Sequence, residues 1–357
     1  MSRRPRLISR PLPRRSPVPI VLAIFGAVLA ARTVPAAEVE SNPVVAAIQT
    51  QVAAVFGKCR AAVVKIQATD QNGRLSGTGF FVDPNGTIFT SYTVGGESQD
   101  IVVQFGGKRF AATRLISDLR SGIAILKITA ETPFLTCGKS HDLAVASPII
   151  TIGYPMDLPL TPAFGTVGGF DLKYRGRYFA TTHIRANISV QRGEGGAPLL
   201  NLKGEVMGIL ISHVDTGSAA YVLPIESAEK VRLDFLRFHE VRPGWVGVQV
   251  KEVTETVDGS HVLIDEVIPD TPAEKAGLLP GDVLLQVGDH KISSPEDVWD
   301  ATFYITAGDD LRLRVARSGK EMEFQAHPVD PPGSNRHRLP LIEPFAGPTP
   351  TLKIGGN

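Results

Sequence analysis

The spacing of apolar residues divides the chain into one helical segment followed by many short strands. Between residues 42 and 58 apolar side chains recur at helical spacing, which predicts an amphipathic helix with the face Val44, Val45, Ile48, Val52, Val55 and Phe56. Beyond it, short β-branched and aromatic runs alternate with turn residues over 62–69, 79–82, 87–90, 101–105, 109–115, 123–129, 149–152, 163–170, 178–184, 205–213 and 219–223. Strands this short, at a spacing of roughly 8–12 residues, indicate a β-sandwich or β-barrel.

The pattern changes twice more before the end of the chain. A helix is predicted over 227–239, and Arg242-Pro243-Gly244 after it predicts a linker. Alternating apolar residues resume at Trp245, and after Pro328 proline, glycine and polar residues predict an extended or disordered tail. The predicted units are a helical segment over 38–58, a β domain over 59–241, a second domain over 244–328 and a tail over 329–357.

The first 37 residues carry the pattern of an export signal. Six arginines precede an apolar run over 18–31, and Val34-Pro35-Ala36 follows as a small-residue cleavage site. The run is shorter than the roughly 20 residues that span a bilayer as a helix. We therefore expect an exported protein of the periplasm or cell envelope. The alternative is an uncleaved segment that anchors the protein in the inner membrane.

Composition narrows the possible chemistry. A formal net charge of +1 and a charged content of 20% provide no basic field for nucleic acid. The sequence has no Cys/His cluster with zinc spacing and no calcium-loop pattern, so we expect no metal and no organic cofactor. Export would permit a disulfide between Cys59 and Cys137, and the sequence leaves open whether they pair or remain free thiols.

A glycine-rich loop in the β domain points to a family. It reads Gly193-Glu194-Gly195-Gly196-Ala197-Pro198-Leu199. This resembles the active-site loop of chymotrypsin-fold serine proteases, Gly-x-Ser-Gly-Gly-Pro-Leu, whose backbone N–H groups stabilise an oxyanion. The resemblance implies an oxyanion-loop remnant at Gly193, Glu194 and Gly195. Gly195 stands at the position of the nucleophilic serine.

Two other motifs resemble those of the high-temperature-requirement (HtrA) branch of these proteases. The stretch 77–94 matches its Gly-x-Gly-Phe strand and Thr-Asn-x-His-Val run, but Thr93 occupies the histidine position. The stretch 118–127 matches Asp-x-x-x-Asp-Leu-Ala-Leu-Leu-Lys, with Gly122 at the acid position. Each motif has lost its catalytic residue. The resemblance implies a mainly β fold, two six-stranded barrels with the cleft between them.

The second domain resembles a PDZ domain of the circularly permuted bacterial type. Its signature is Ala273-Glu274-Lys275-Ala276-Gly277-Leu278-Leu279-Pro280-Gly281-Asp282-Val283. The resemblance implies that a ligand C-terminus adds as a strand, its carboxylate held by N–H groups of Trp245, Val246, Gly247 and Val248. The other wall of the groove is expected to be a helix with Val298, Ala301, Thr302 and Ile305 on one face. The alternative for Val298 and Ile305 is that they belong to the core.

These observations favour an exported pseudoprotease of the HtrA type. It would bind unfolded polypeptides or protein C-termini as a chaperone, adaptor or regulator. The alternatives are an active serine endopeptidase, as the family implies, and a non-catalytic subunit paired with an active paralogue. Relatives form trimers through N-terminal segments, so the first helix is a candidate for oligomer contacts.

Two points in the barrel domain stay open from sequence. Glu194 could project its carboxylate into the former cleft, although a solvated turn residue is the interpretation that we favour. A substitute catalytic set would need three residues within about 3 Å contacts of one another. The candidates for it are Ser91, Ser189, Ser212, His183 and His213.

Overall fold

The computed structural model describes residues 42–213, 219–255 and 259–333. Its helices are α1 (Pro43–Cys59), α2 (Tyr92–Gly95), α3 (Ile225–Phe238), α4 (Pro272–Ala276) and α5 (Pro295–Phe303). Its strands are β1 (Val63–Asp70), β2 (Gly73–Phe81), β3 (Thr87–Ser91), β4 (Gln99–Phe105), β5 (Lys108–Ala111), β6 (Thr113–Asp118), β7 (Ile123–Lys127), β8 (Pro148–Gly153), β9 (Thr161–Tyr174), β10 (Arg177–Asn187), β11 (Pro198–Leu200), β12 (Val206–His213), β13 (Ala220–Pro224), β14 (Val248–Glu255), β15 (Gly259–Val267), β16 (Val283–Val287), β17 (His290–Lys291), β18 (Leu311–Arg317) and β19 (Lys320–Ala326). The predicted export signal and most of the predicted tail lie outside the described residues.

The first seven strands form one curled sheet in the order β5-β4-β1-β2-β3-β7-β6. Its two edge strands, β5 and β6, are separated in the chain by the single residue Ala112, whose N–H donates to the carbonyl of Ile101. The two edges must therefore lie beside each other, which gives the sheet its barrel shape. The resemblance implied six strands in this barrel, and 109–115 has the pattern of one strand. The chain instead divides at Ala112, and each half pairs with a different edge.

The next six strands close into a second barrel in the order β10-β13-β12-β11-β8-β9. Strands β9 and β10 are the longest, with 14 and 11 residues. Strand β10 pairs with β13 only over Ile184, Arg185 and Ala186, whereas its pairing with β9 breaks over 179–182 and resumes at Tyr178 and Arg177. Beyond the barrel, these two strands therefore form a two-stranded hairpin arm.

One apolar core joins the two barrels. It takes fully buried side chains from both sheets and from α1, α3 and α5, including Val55, Phe80, Phe89, Ile150, Ile209, Val231 and Phe303. The rings of Phe80 and Phe89 meet edge to face, with their centroids 6.0 Å apart. The predicted helices at 44–56 and 227–239 are confirmed as α1 and α3. No helix in the described segments is long and apolar enough to span a membrane.

The C-terminal unit has a separate sheet and core. Its strands run in the order β14-β15-β16-β18-β19, with β17 on β16, so β14 forms an edge of the sheet. Helices α4 and α5 cover this sheet with Ala273 and Ala301, which pack with Val262, Leu284 and Val315 in the core. An exposed edge strand beside a helix is the arrangement that strand addition by a peptide requires.

Asp234 on α3 holds the end of the barrel domain and the second domain together. Its carboxylate accepts from Lys230 Nζ at 2.6 Å, from the Arg242 N–H at 2.9 Å and from Thr306 Oγ1 at 3.0 Å. Asp234 and Lys230 are both buried, and the burial lowers the pKa of the Lys230 ammonium. Helix, linker and second domain thus share one buried carboxylate.

Replacing Asp234 with alanine should destabilise the fold by about 3–5 kcal/mol, because it leaves the Lys230 ammonium buried without its partner. The measurement is urea unfolding followed by circular dichroism at pH 7. The matched control is Asp310→Ala, which removes an exposed partner of His327 and should cost less than about 1 kcal/mol. Equal midpoints for the two variants would contradict this role of Asp234.

Candidate active site

The loop before β11, the end of β3 and the β6–β7 turn converge in the structure. A Cβ placed on Gly195 would lie 3.1 Å from Ser91 Oγ and 3.6 Å from Thr93 Oγ1. The carbonyl of Gly122 accepts the N–H of Tyr92, the neighbour of Thr93, at 2.6 Å. The structure therefore brings together the three positions that the sequence assigns to nucleophile, base and acid.

The position of the base holds two hydroxyl groups instead of an imidazole. Ser91 Oγ and Thr93 Oγ1 are 2.8 Å apart and share a hydrogen bond. Ser91 is fully buried and Thr93 is exposed at the surface of the cleft. Neither hydroxyl titrates near neutral pH, so neither can take a proton as a catalytic histidine does.

The position of the acid is occupied by another side chain. A Cβ on Gly122 would lie 2.6 Å from Ile211 Cγ2, which is closer than two carbon atoms can approach. Gly122 also has a φ of +78°, in the left-handed region that favours glycine. Nearby Asp118 is committed elsewhere, since its carboxylate accepts from Ser121 Oγ at 2.7 Å. Ile211 therefore occupies the space that a side chain at position 122 would need. An aspartate at this position would also strain the left-handed backbone.

Two carbonyls of the glycine-rich loop accept hydrogen bonds within the domain. The carbonyl of Arg192 accepts from the Met156 N–H at 2.5 Å, and that of Glu194 accepts from the Ala197 N–H at 2.9 Å. In a trans peptide the N–H points opposite to the carbonyl of the same unit. The N–H groups of Gly193 and Gly195 therefore lie on the opposite side of the loop from the hydrogen bonds that these two carbonyls accept. If the loop is the oxyanion loop that the resemblance implies, these two N–H groups are its candidate donors.

Thr78 ties this loop to the first barrel. Its N–H donates to the carbonyl of Gly195 at 2.9 Å, and its hydroxyl donates to the carbonyl of Gly193 at 2.8 Å. Gly196 sits so close to it that a Cβ there would lie 2.2 Å from the Thr78 carbonyl oxygen. The φ of Gly196 is +87°, so only glycine meets both conditions.

Glu194 is buried, and the interpretation of it as a solvated turn residue is wrong. Its side chain is 3% exposed and turns back to accept the N–H of Gln191 at 2.6 Å. It packs beside Gly153, where a Cβ would lie 3.1 Å from Glu194 Cγ. Burial raises the pKa of this carboxyl above its ordinary value. Sequence reasoning missed it because a glutamate between two glycines normally marks an exposed turn.

The described residues do not assemble a substitute catalytic set around His183. The imidazole is buried, its Nδ1 lies 2.7 Å from the Thr181 carbonyl oxygen, and its ring stacks on Phe179 at 4.3 Å. Burial lowers the pKa of His183 to about 4. It is a neutral interior residue at pH 7. The side chain of His213 lies outside the described residues, and Ser91 Oγ is bonded to Thr93.

In the second domain the proposed carboxylate-binding loop also presents N–H groups. The carbonyl of Val246 accepts from the Ala273 N–H, and that of Gly247 accepts from the Ile268 N–H, both at 2.9 Å. The N–H groups of Gly247 and Val248 therefore point the opposite way. Trp245 differs, because its N–H already donates to the Val329 carbonyl at 2.8 Å.

The predicted helical wall divides between core and surface. Ala301 and Ile305 are buried, Val298 is half-buried against the same core, and Thr302 is exposed. The placement of Ile305 on the helical face is wrong, because α5 ends at Phe303, and Ile305 belongs to the core instead. Thr302 remains the predicted groove residue that offers a free surface for mutation.

The two cysteines are free and lie in different surroundings. Cys59 Sγ is 3.5 Å from the Gly204 carbonyl oxygen, and Cys137 Sγ is 3.8 Å from Glu229 Oε1. Burial and the Glu229 carboxylate raise the pKa of Cys137 to about 12, so it is an unreactive thiol at neutral pH. Among the described residues, no group of His, Cys, Asp and Glu side chains is arranged to hold a metal ion.

The burial of Glu194 predicts an unusual pH dependence of stability. Because its pKa is raised in the folded state, the folded protein keeps a proton that the unfolded chain releases. This contribution to stability is complete below the unfolded pKa and is lost as pH rises through the folded pKa. Glu194→Gln should therefore raise the melting temperature at pH 7 and flatten its profile between pH 4 and 7. A lower melting temperature for the variant at pH 7 would contradict this account.

Comparison with known proteins agrees with both halves of the fold. The trypsin-like peptidase domain family matches residues 77–209, and the PDZ domain family matches residues 244–327. The chain is 30% identical over 271 residues to a protein of Hahella chejuensis named "Probable periplasmic serine endoprotease DegP-like", covering 71% of this chain and 56% of that protein. It is 30% identical over 283 residues to "Serine protease HTRA1" of Xenopus tropicalis, covering 71% of this chain and 60% of that one.

A solved structure shares the arrangement of domains. The HtrA-type protease AlgW with tripeptide superposes with a TM-score of 0.64 at 22% identity, covering 79% of this chain and 97% of that chain. At this identity the likeness shows the fold. The present chain spans somewhat more than half the length of the curated relatives that it matches. With its trypsin-like peptidase domain followed by a PDZ domain, the chain belongs to the HtrA family.

Proposed function

We propose that this protein is a pseudoprotease that binds unfolded polypeptides or protein C-termini through its PDZ domain and does not hydrolyse peptides. It would act as a chaperone, adaptor or regulator. The observation that carries the proposal is the closed acid position, where Ile211 fills the space of an aspartate and Gly122 adopts a left-handed backbone. Loss of the side chain there is matched by loss of the nucleophile at Gly195 and of the base at Thr93.

In a serine protease the nucleophile, the base and the acid act together, so the absence of all three side chains supports the proposal. Without a nucleophile no acyl intermediate forms, and without a base a serine elsewhere in the cleft stays a weak nucleophile. Ser91 Oγ is the hydroxyl nearest to a Cβ placed on Gly195, but its described hydrogen-bond partner is Thr93. Restoring activity would thus require changes at four or more positions.

The proposed binding of peptides depends on the PDZ domain. Strand β14 is an edge of its sheet. The N–H groups of Gly247 and Val248 lie on the opposite side of their loop from the hydrogen bonds that the Val246 and Gly247 carbonyls accept. A peptide C-terminus could pair with β14 and place its carboxylate on these donors. The solved HtrA-type neighbours include structures with a tripeptide and with a decapeptide, which supports peptide binding by this chain.

Two alternatives have specific support. Family membership favours an active serine endopeptidase, and the named relatives are proteases. A non-catalytic subunit of an oligomer is favoured by α1, whose side chains Val44, Val45 and Ile48 are 63%, 61% and 39% exposed. That apolar face could contact copies of this chain, as a trimer, or an active paralogue.

The names of the relatives support a periplasmic location, and the inner-membrane anchor stays the alternative.

The proposal predicts that the native chain does not cleave casein. The variant Thr93→His/Gly122→Asp/Gly195→Ser should also remain close to inert, because Ile211 obstructs the new aspartate. Adding Ile211→Ala should raise cleavage on the order of 10²-fold or more over the triple variant, since an oriented acid is worth up to about 10⁴-fold in a triad. The measurement is release of fluorescent fragments from labelled casein, with Ile211→Ala alone as the control.

Two results would contradict this reading of the cleft. Inhibitor-sensitive cleavage by the native chain would mean that a hidden catalytic set exists. A triple variant as active as the quadruple variant would mean that the acid position is open.

The proposal also predicts carboxylate-dependent peptide binding. A fluorescent decapeptide pool ending in Val, Leu or Phe should bind, and the same pool with amidated C-termini should bind about tenfold or more weakly, because hydrogen bonds to a charged group are lost. Thr302→Tyr should block the groove from its exposed edge. The matched control is Lys320→Tyr on the distant β18–β19 hairpin. Equal binding of free and amidated pools would rule out carboxylate capture.

A further inference from the structure

A cavity between the barrel domain and the PDZ domain takes no part in the cleft or in the PDZ groove. Its volume is about 350 Å³, within the range of sites that hold a ligand. One stripe of α3 from Glu226 to Arg237 forms one wall, since the lining residues recur at intervals of three and four. Tyr304 and Asp309 of the PDZ domain line the other wall. We call this space the interdomain cavity.

The walls of the interdomain cavity carry one carboxylate that has no cationic partner. Three of its four carboxylates form ion pairs at 2.6 Å or less, namely Asp234 with Lys230, Asp309 with Arg237 and Glu229 with Arg232. Glu226 is the fourth, and no lysine or arginine among the described residues forms an ion pair with it. Its carboxylate accepts from the Ser140 N–H at 2.7 Å, and 34% of its side chain is exposed. The cavity therefore presents a negative charge to whatever enters it.

An exposed apolar side chain lies in the same cavity. Leu233 lines it and is 51% exposed. Leu233 follows Glu226 by seven residues, which places the two about 10 Å apart along the axis of α3. A segment that fits the cavity should therefore combine a cation with an apolar side chain about 10 Å away from it.

The described part of the chain ends close to this cavity. Asp330 lies 3.4 Å from the Arg242 guanidinium, and the Arg242 N–H donates to Asp234 in the cavity wall at 2.9 Å. The last described residue, Gly333, follows Asp330 by three positions. The residues after Gly333 are therefore attached beside the end of α3.

The sequence after Gly333 has the composition that the cavity calls for. Basic and apolar residues follow each other in Arg336-His337-Arg338-Leu339-Pro340-Leu341-Ile342. Arg338 and Leu341 are three residues apart, which is about 10 Å in an extended chain. The eight steps from Asp330 to Arg338 can cover up to about 28 Å, whereas α3 between Asp234 and Glu226 covers about 12 Å. The tether is thus long enough.

We propose that the segment 336–342 of this chain docks in the interdomain cavity, with its arginines on Glu226 and its leucines against Leu233. The charges are complementary, and a short tether gives an effective concentration on the order of millimolar, which an external basic peptide lacks. The docked segment would strap the PDZ domain to the barrel domain, beside the contacts of Asp234. This inference goes beyond the proposed function, because it depends neither on hydrolysis nor on the PDZ groove.

The labelling of engineered thiols tests the docking in the full chain. Leu233→Cys places a thiol in the cavity, and its matched control Leu236→Cys places one outside the lining on the same helix, at a leucine that is 58% exposed. The rate of maleimide labelling is read for each cysteine by peptide mass spectrometry, which separates the new thiol from Cys59 and Cys137. A docked segment should cover position 233 and leave position 236 open.

Changes of charge in the segment should uncover position 233. Loss of hydrogen bonds between charged groups weakens docking about tenfold or more, so Arg336→Glu/Arg338→Glu should speed labelling at position 233 by about tenfold. Labelling at position 236 should stay within about twofold. The control Lys108→Glu/Lys320→Glu makes the same change of net charge on two other hairpins and should leave both rates unchanged.

An exchange of charges separates docking from damage to the fold. Glu226→Arg alone should also speed labelling at position 233. Combined with Arg336→Glu/Arg338→Glu, it should slow this labelling again, because opposite charges face each other once more. Damage to the fold would make the combined variant faster than either parent.

Three outcomes would overturn the proposal. The first is an equal rate at position 233 with and without the two arginines. The second is the absence of any recovery in the charge exchange. The third is a rate at position 233 that falls as the protein concentration rises, which would make the occupant the same segment of a second copy, since docking within one chain is independent of concentration.

Discussion

The architecture of the cleft depends on the hydrogen bonds of one buried threonine. Thr78 lies in the first barrel, yet its N–H and hydroxyl hold the carbonyls of Gly195 and Gly193 in the loop of the second. Its own carbonyl accepts from Thr90 Oγ1 at 2.7 Å, and its hydroxyl also accepts the N–H of Tyr154 at 3.1 Å. Buried polar groups must be satisfied, so this network fixes the approach of the barrels and the oxyanion loop together.

These hydrogen bonds use no side chain at positions 93, 122 or 195. Triad side chains are directed at a substrate, and their removal leaves no backbone group unpaired. The loop is held by Thr78 and by the left-handed glycines Gly193 and Gly196, which serve folding as much as chemistry. At Gly122, the space beside the backbone is occupied by Ile211, which packs against the core of the barrels. An aspartate at position 122 would have to displace Ile211.

Much of this could be predicted from the residues. Periodicity gave the helices α1 and α3 and most strands, and the glycine-rich motifs placed Thr93, Gly122 and Gly195 at one cleft. The division of the first sheet at Ala112 could not be predicted from the sequence. It arises because β5 pairs with β4 and β6 pairs with β7, at opposite edges of the sheet. The burial of Glu194 and the contact of Ile211 with Gly122 likewise arise from tertiary packing, which local composition does not encode.

The most direct test of the central claim is reaction of the native chain with a fluorophosphonate, followed by intact-mass measurement. A serine activated by a base forms a covalent adduct with this reagent, whereas unactivated hydroxyls do not. The account predicts an unchanged mass, because the described residues of the cleft place Ser91 and Thr93 beside Gly195 without a base. One adduct per chain that disappears in Ser91→Ala would contradict it and would identify the nucleophile.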